Sequence, residues 1–148
     1  MKVSEKGINL IKKHEGCKLT SYLCPSKIPT IGFGNTYYLN GTKVELGQTI
    51  TQDQADKLLL SILSKFEKDV WSVIKQSVNQ RMFDALVSFT YNVGFGNLKS
   101  STLLKKVNKN INDPTIKDEF LKWNKSRGRA LKGLTNRRMD EWLLYSSK

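Results

Sequence analysis

Histidine, cysteine and proline are scarce in this chain, at one, two and three residues in 148. A single histidine, His14, and no C-x-x-C pair leave no ligand set for a structural zinc, and no metal or cofactor is expected. Cys17 and Cys24 are seven residues apart in what reads as extended chain. At about 3.3 Å per residue that separation is far beyond disulfide reach, so both read as free thiols. Long apolar runs are missing too. The longest, Leu58–Leu63, falls well short of the roughly 20 residues that a membrane span needs, and reads as helix core. The opening MKVSEKGINLIKKHEG has no apolar h-region, so no cleaved signal peptide is readable. Repeats, linkers and low-complexity tracts are also absent.

Acidic residues are outnumbered. Lys and Arg total 25 against 13 Asp and Glu, a net charge of +12. Such a charge attracts polyanions, whether nucleic acid, acidic lipid or bacterial wall polymer. The basic residues are scattered from Lys2 to Lys148, with only short clusters such as Lys105-Lys106. A nucleic-acid arm is more often a block, so this reads as a solvated basic surface and not a dedicated DNA site. The length, with 39% hydrophobic and 26% charged residues, suits one soluble domain.

Residues 4–15 read as a helix capped by Ser4, striped by Ile8, Leu10 and Ile11, and ended by Gly16. From Cys17 to about Val44, threonine, tyrosine and glycine dominate, and Asn40-Gly41 signals a hairpin. From Thr51 the pattern is helical. Thr51 and Gln54 form a capping box, with Ala55, Leu58, Leu59, Ile62 and Phe66 at helical spacing. Asn79 caps a helix carrying Phe83, Leu86, Val87 and Tyr91 that stops at Gly94. A short helix is expected near 102–107. Asp113-Pro114 reads as the start of the next, and Thr135 as the start of the last, with Met139, Trp142 and Leu143 on one face. The expectation is an α+β domain over 1–148, with a β lobe at about 17–50, a helical lobe from 1–16 and 51–148, and a cleft between them.

Three residues carry the candidate chemistry. In HEGCKLTSYLCPSKIPTIGFGNT, Glu15 is followed by eight residues, Cys24, five residues and Thr30. A strand returning through the turn Pro25–Pro29 would bring Cys24 and Thr30 together, facing the end of the helix. Cleavage of a glycosidic bond needs such an arrangement, with an acid on one side and a group that handles water on the other. Glu15 sits at a helix C-terminus, where the macrodipole disfavours an anion and so favours a held proton. The Cys24 thiol can orient water, act as a base when ionised, or attack carbon, or it can simply fill space as a small hydrophobe. Thr30 can both donate to and accept from a water, although threonine is also at home in strands. Gly32 and Gly34 would let a sugar approach the backbone. Tyr91 and Asn92, ending a helix, suit sugar faces and hydroxyls. His14 reads as a surface residue beside Lys13.

The same residues resemble the active-site signature of the phage-type lysozymes, or endolysins, of glycoside hydrolase family 24. Further segments resemble that family in order: Arg81–Gly94, Ser101–Leu104, Phe120 with Trp123, and Gly133–Glu141. The resemblance implies a lysozyme-like fold and hydrolysis of the β-1,4 bond between N-acetylmuramic acid and N-acetylglucosamine in peptidoglycan, lysing the host. It implies Glu15, Cys24 and Thr30 as catalytic residues, with Cys24 standing where many relatives carry Asp, and Arg137 as the partner that supports Glu15. Many relatives carry His where this chain has Asn35. It further implies a monomer made in the host cytoplasm, without nucleic-acid partner or membrane insertion, that reaches the wall through a separate pore. Two other readings stay open: a Cys-dependent peptidoglycan peptidase using Cys24 and His14, and a basic non-enzymatic module that binds wall or nucleic acid.

Overall fold

A computed structural model describes residues 1–148. The elements run α1 (Glu5–Glu15), β1 (Lys18–Leu23), β2 (Pro29–Gly32), α2 (Gln52–Val73), α3 (Gln80–Val93), α4 (Phe95–Ser100), α5 (Thr102–Lys109), α6 (Ile116–Leu121), β3 (Lys125–Ser126), β4 (Arg129–Ala130) and α7 (Lys132–Ser146). This is an α+β architecture, and no helix is long and apolar enough to cross a membrane. Both cysteines are free thiols. The chain divides into two compact units, a smaller one of Glu15–Lys65 and a larger one joining Met1–His14 to Phe66–Lys148.

The larger unit is organised around α3. The Asn79 side chain caps it by accepting from the Met82 N–H at 2.9 Å, and Gly94 at φ +93° ends it. Between these ends every residue from Met82 to Thr90 is buried. Phe89 meets Phe120 and Trp123 edge to face, each at 5.7 Å. α1 lies close to α3 because Gly7 has no side chain. A Cβ there would come within 2.5 Å of Val3 and 2.8 Å of Asp84. α7 packs on α3 and α6, burying Arg137, Arg138, Glu141 and Tyr145.

Several expected boundaries shift. Ser4 flanks α1, but its hydroxyl bonds Asp84 and its N–H donates to the same carboxylate at 3.0 Å. Asp113 accepts from the Thr115 N–H at 2.8 Å and the Thr115 hydroxyl at 2.6 Å, so it closes a turn, and α6 starts three residues later. α7 starts at Lys132 and not at Thr135, whose hydroxyl instead accepts from Asn124 at 3.1 Å. The expected apolar face of α7 is also displaced. Leu143 is exposed, and the inward positions are largely charged.

The smaller unit holds the antiparallel pair β1–β2. One core cluster is Ile31, Val44 and Leu58, covered by Tyr38 and Ile50, and Phe33, Ala55, Leu59 and Leu63 are buried as well. At Asn40-Gly41 the chain turns, with the Gly41 N–H donating to Tyr38 O at 3.0 Å and Tyr37 bridging Lys43. The capping box forms reciprocally: Thr51 N–H to Gln54 Oε1 at 2.8 Å, and Gln54 N–H to Thr51 Oγ1 at 3.1 Å.

Candidate active site

Glu15 is the last residue of α1. Gly16, at φ +67°, takes the left-handed conformation that ends the helix and sends the chain into β1. Glu15 is half-buried. It lies near Gly34, where an added Cβ would sit 3.5 Å from its Oε1. Gly34 is exposed at φ +92°, so the backbone beside this carboxylate is left bare. Gly32 differs. It is buried, and its missing side chain faces Asn35, Ile50 and Ala55 within the unit's own interior.

Cys24 and Thr30 come together through the turn between β1 and β2. Tyr22 pairs with Thr30 and Leu23 with Pro29. The Cys24 N–H donates to Ile28 O at 3.1 Å and the Lys27 N–H to Cys24 O at 2.8 Å, with Lys27 itself at φ 61°. Thr30 is buried, and its hydroxyl donates to Ile28 O at 2.8 Å. The turn also acts on the thiol. Hydrogen bonding from the Ile28 backbone holds it below its ordinary range, partial desolvation opposes this, and the Ser26 backbone and Thr30 hydroxyl add to the lowering. The Thr30 proton serves Ile28 O as it stands, so it reaches Sγ only by rotating.

Tyr22 is the residue that sequence reasoning missed. It faces Thr30 across the strand pair, is half-buried, and has the Lys18 ammonium 5.8 Å from its ring. Burial raises its phenol above the ordinary value, and the charges of Cys24 and Glu15 raise it further. A neutral hydroxyl donor therefore sits within the electrostatic reach of both candidate groups. The signal available was its cross-strand position opposite Thr30.

Asn35 is buried. Its amide N–H reaches Leu58 O only at 3.5 Å, and its Oδ1 has no hydrogen-bond partner.

The remaining candidates belong to the larger unit. Tyr91 is half-buried against Phe66, with ring centroids 5.3 Å apart, and Asn92 is exposed near the end of α3. Arg137 is buried. Its Nε lies 3.2 Å from Glu141 Oε2, and its Nη2 donates to Ser88 O at 3.1 Å. Arg138 Nε approaches Glu141 Oε1 at 2.7 Å, and its guanidinium lies 5.0 Å from the Phe89 ring centroid. The Ser88 hydroxyl donates to Glu141 at 2.7 Å. Two guanidiniums thus share one carboxylate. Burial pushes Glu141 upward while Arg138 and Arg137 pull it back. His14 is no ordinary surface residue: its Nε2 lies 2.8 Å from Asp140 Oδ2, and only 12% of its side chain is exposed. No group of three or more His, Cys, Asp or Glu side chains is placed to hold a metal ion.

The sequence profile described as phage lysozyme matches residues 12–141. The chain belongs to the phage lysozyme family. The endolysin of Bacillus phage B103 is 44% identical over 147 residues, covering 98% of this chain and 54% of that protein. The endolysin of Salmonella phage P22 is 35% identical over 147 residues, with 99% of each covered. Among solved structures, an endolysin from Escherichia coli O157:H7 phage FAHEc1 superposes with a TM-score of 0.91 at 37% identity, covering 99% of this chain and 94% of that one. The fold is therefore the lysozyme fold. The chain spans about half the length of the Bacillus phage relatives it matches.

Proposed function

We propose that this chain is a muramidase of the endolysin kind, hydrolysing the β-1,4 bond between N-acetylmuramic acid and N-acetylglucosamine in bacterial peptidoglycan. The observation that carries the reading is the smaller unit itself. One carboxyl, Glu15, stands beside bare backbone at Gly34, and one turn holds Cys24 next to Thr30, within a phage lysozyme match. Glu15 acts as the general acid, giving its proton to the leaving sugar oxygen as the anomeric C–O bond breaks. A water attacks the anomeric carbon from the opposite face, held by Thr30 and Cys24. The lowered thiol supplies more thiolate to take the water's proton. Tyr22 donates a hydrogen bond near both groups. Arg137 supports Glu15, and Gly34, Tyr91 and Asn92 contribute to binding glycan, while Gly32, which faces the unit's own interior, serves packing instead. The expected outcome is inversion.

The chain works as one lysozyme-like domain and as a monomer. Made in the host cytoplasm, it reaches the wall through a separate membrane pore, and its +12 charge favours an anionic wall. Nothing on the thiol's own side favours a Cys-His peptidase: the groups that lower it are backbone of its own turn and the Thr30 hydroxyl, with no imidazole among them. Mass analysis of digested peptidoglycan tests the choice. New reducing sugar ends are expected; new peptide termini without them would overturn the muramidase reading.

A further inference from the structure

The chain's single histidine immediately precedes Glu15 in the last turn of α1, and its only polar contact is with α7. His14 Nε2 and Lys13 Nζ both reach Asp140 Oδ2, at 2.8 Å and 3.0 Å. The two contacts are not equivalent. The Lys13 side chain is 67% exposed, that of His14 12% and that of Asp140 28%. An exposed lysine pair contributes little, because water competes for it and a long side chain must be ordered. The shielded imidazole contact is the effective one. Asp140 is also well mounted. The next residue, Glu141, is fully buried and ion-paired to Arg137 and Arg138, so the helix carrying Asp140 is fixed from within. Around the pair, Gly133, Asn136 and Met139 of α7 line an open hollow with Lys13 and His14. Burial raises the Asp140 carboxyl, but the hydrogen bonds from Lys13 and His14 outweigh it and hold the group below its ordinary range, as expected for a working anionic partner.

We infer that His14 and Asp140 form a clasp that positions Glu15: they hold the last turn of α1 against α7 and so fix the backbone from which the Glu15 carboxyl projects. Gly16, at φ +67° and with nothing within 4 Å of where its Cβ would be, adds no side-chain contact where α1 ends. In the last turn of α1 the shielded polar contact to α7 is the one made by His14. His14 is a positioning residue in this account and touches no reacting atom. The inference rests on the reading of Glu15 as the general acid.

The test has one arm that does not depend on activity. In His14→Ala and Asp140→Ala, amide hydrogen exchange at residues 13–16 should speed up about tenfold while exchange in α3 stays unchanged. Turnover of solubilised glycan strands should fall about tenfold, in kcat and not in KM, because a misplaced acid loses transition-state stabilisation while glycan binding is untouched. The double variant should be no worse than either single one. His14→Gln, whose amide can still donate to Asp140, should recover most of the rate. Unchanged exchange would overturn the clasp. So would faster exchange with unchanged kcat, or single-variant losses that add in the double. A wild-type protein that released no reducing ends would instead overturn the muramidase reading, with the exchange arm still deciding whether α1 is held by this pair.

Discussion

In the larger unit, nine consecutive residues of α3 are buried, and the helix that packs on it buries two arginines and a glutamate. In the smaller unit no strand exceeds six residues, and the buried apolar side chains, among them Ile31, Phe33, Val44 and Leu58, come in order from strand, turn, loop and helix. Five of the seven positive-φ glycines lie in the smaller unit, together with Lys27. One region is fastened by packing and buried ions; the other is shaped by turns. The candidate acid and the water-handling pair belong to the second. Turns suit that task, because a tight turn can aim backbone N–H groups at a thiol and leave bare backbone beside a carboxyl, which a closely packed helix cannot do.

The strongest attempt to break this contrast is Glu15→Gln. If chemistry resides in the smaller unit, lytic activity should fall by about 10²–10⁴-fold or more, since the transferable proton is gone. The thermal midpoint should hardly move, because the change is isosteric at a half-buried position. A folded variant with near wild-type lysis would remove Glu15 from the mechanism. Next comes Glu141→Leu in the larger unit, which leaves two buried guanidiniums without their shared carboxylate. The loss should be about 3–5 kcal/mol, read from urea unfolding. A loss under about 1 kcal/mol would show that packing alone fastens that unit.

Cys24 sharpens the comparison through pH. Only the thiolate can accept a proton, and it is populated above the thiol's pKa. The turn lowers that pKa, so the wild-type rate should climb with pH across a range below the ordinary thiol value of about 8.5. Cys24→Ser should abolish that rise and keep measurable activity. Cys24→Asp should keep or improve the rate, with its rise moved to the carboxylate range near about 3.9. The same rise in Cys24→Ser would assign it to another group, and a covalent adduct on Cys24 by mass spectrometry would replace inversion with a two-step route. The smallest effect is expected for Asn35→Leu. The amide gives up one long contact and an oxygen that has no partner, so stability should stay within about 1 kcal/mol of wild type by thermal unfolding. A much larger loss would mean that the Asn35 oxygen is satisfied in solution.

Local rules read much of this molecule correctly where the partner lies a few residues away. Asn79 caps α3, Thr51 and Gln54 cap each other, Gly16 and Gly94 end helices, and the Pro25–Pro29 turn returns Thr30 to Cys24. The failures share one cause, a partner distant in sequence or an unexpected chemistry inside. Asp113 resembles a helix cap but closes a turn on Thr115. The inner face of α7 is ionic, so a search for apolar periodicity selected Met139, Trp142 and Leu143 instead of Arg137, Arg138 and Glu141. The hairpin β3–β4 is only two residues per strand, too short for any alternation to show. His14 looked solvated because its partner is 126 residues away. Tyr22 needed the strand register before its place opposite Thr30 was visible.

The larger unit is discontinuous, joining Met1–His14 to a stretch that begins only at Phe66. During synthesis the first helix therefore leaves the ribosome long before its partners exist. Val3 donates to Glu67, and Ser4 bonds Asp84, 80 residues downstream. At translation rates of about 5–20 residues per second, α1 waits several seconds for α3, while the contiguous segment Glu15–Lys65 can already close on itself. The helix ending in Glu15 meets α3 only after the smaller unit has been made, and its contact with Asp140 waits until the chain is almost complete.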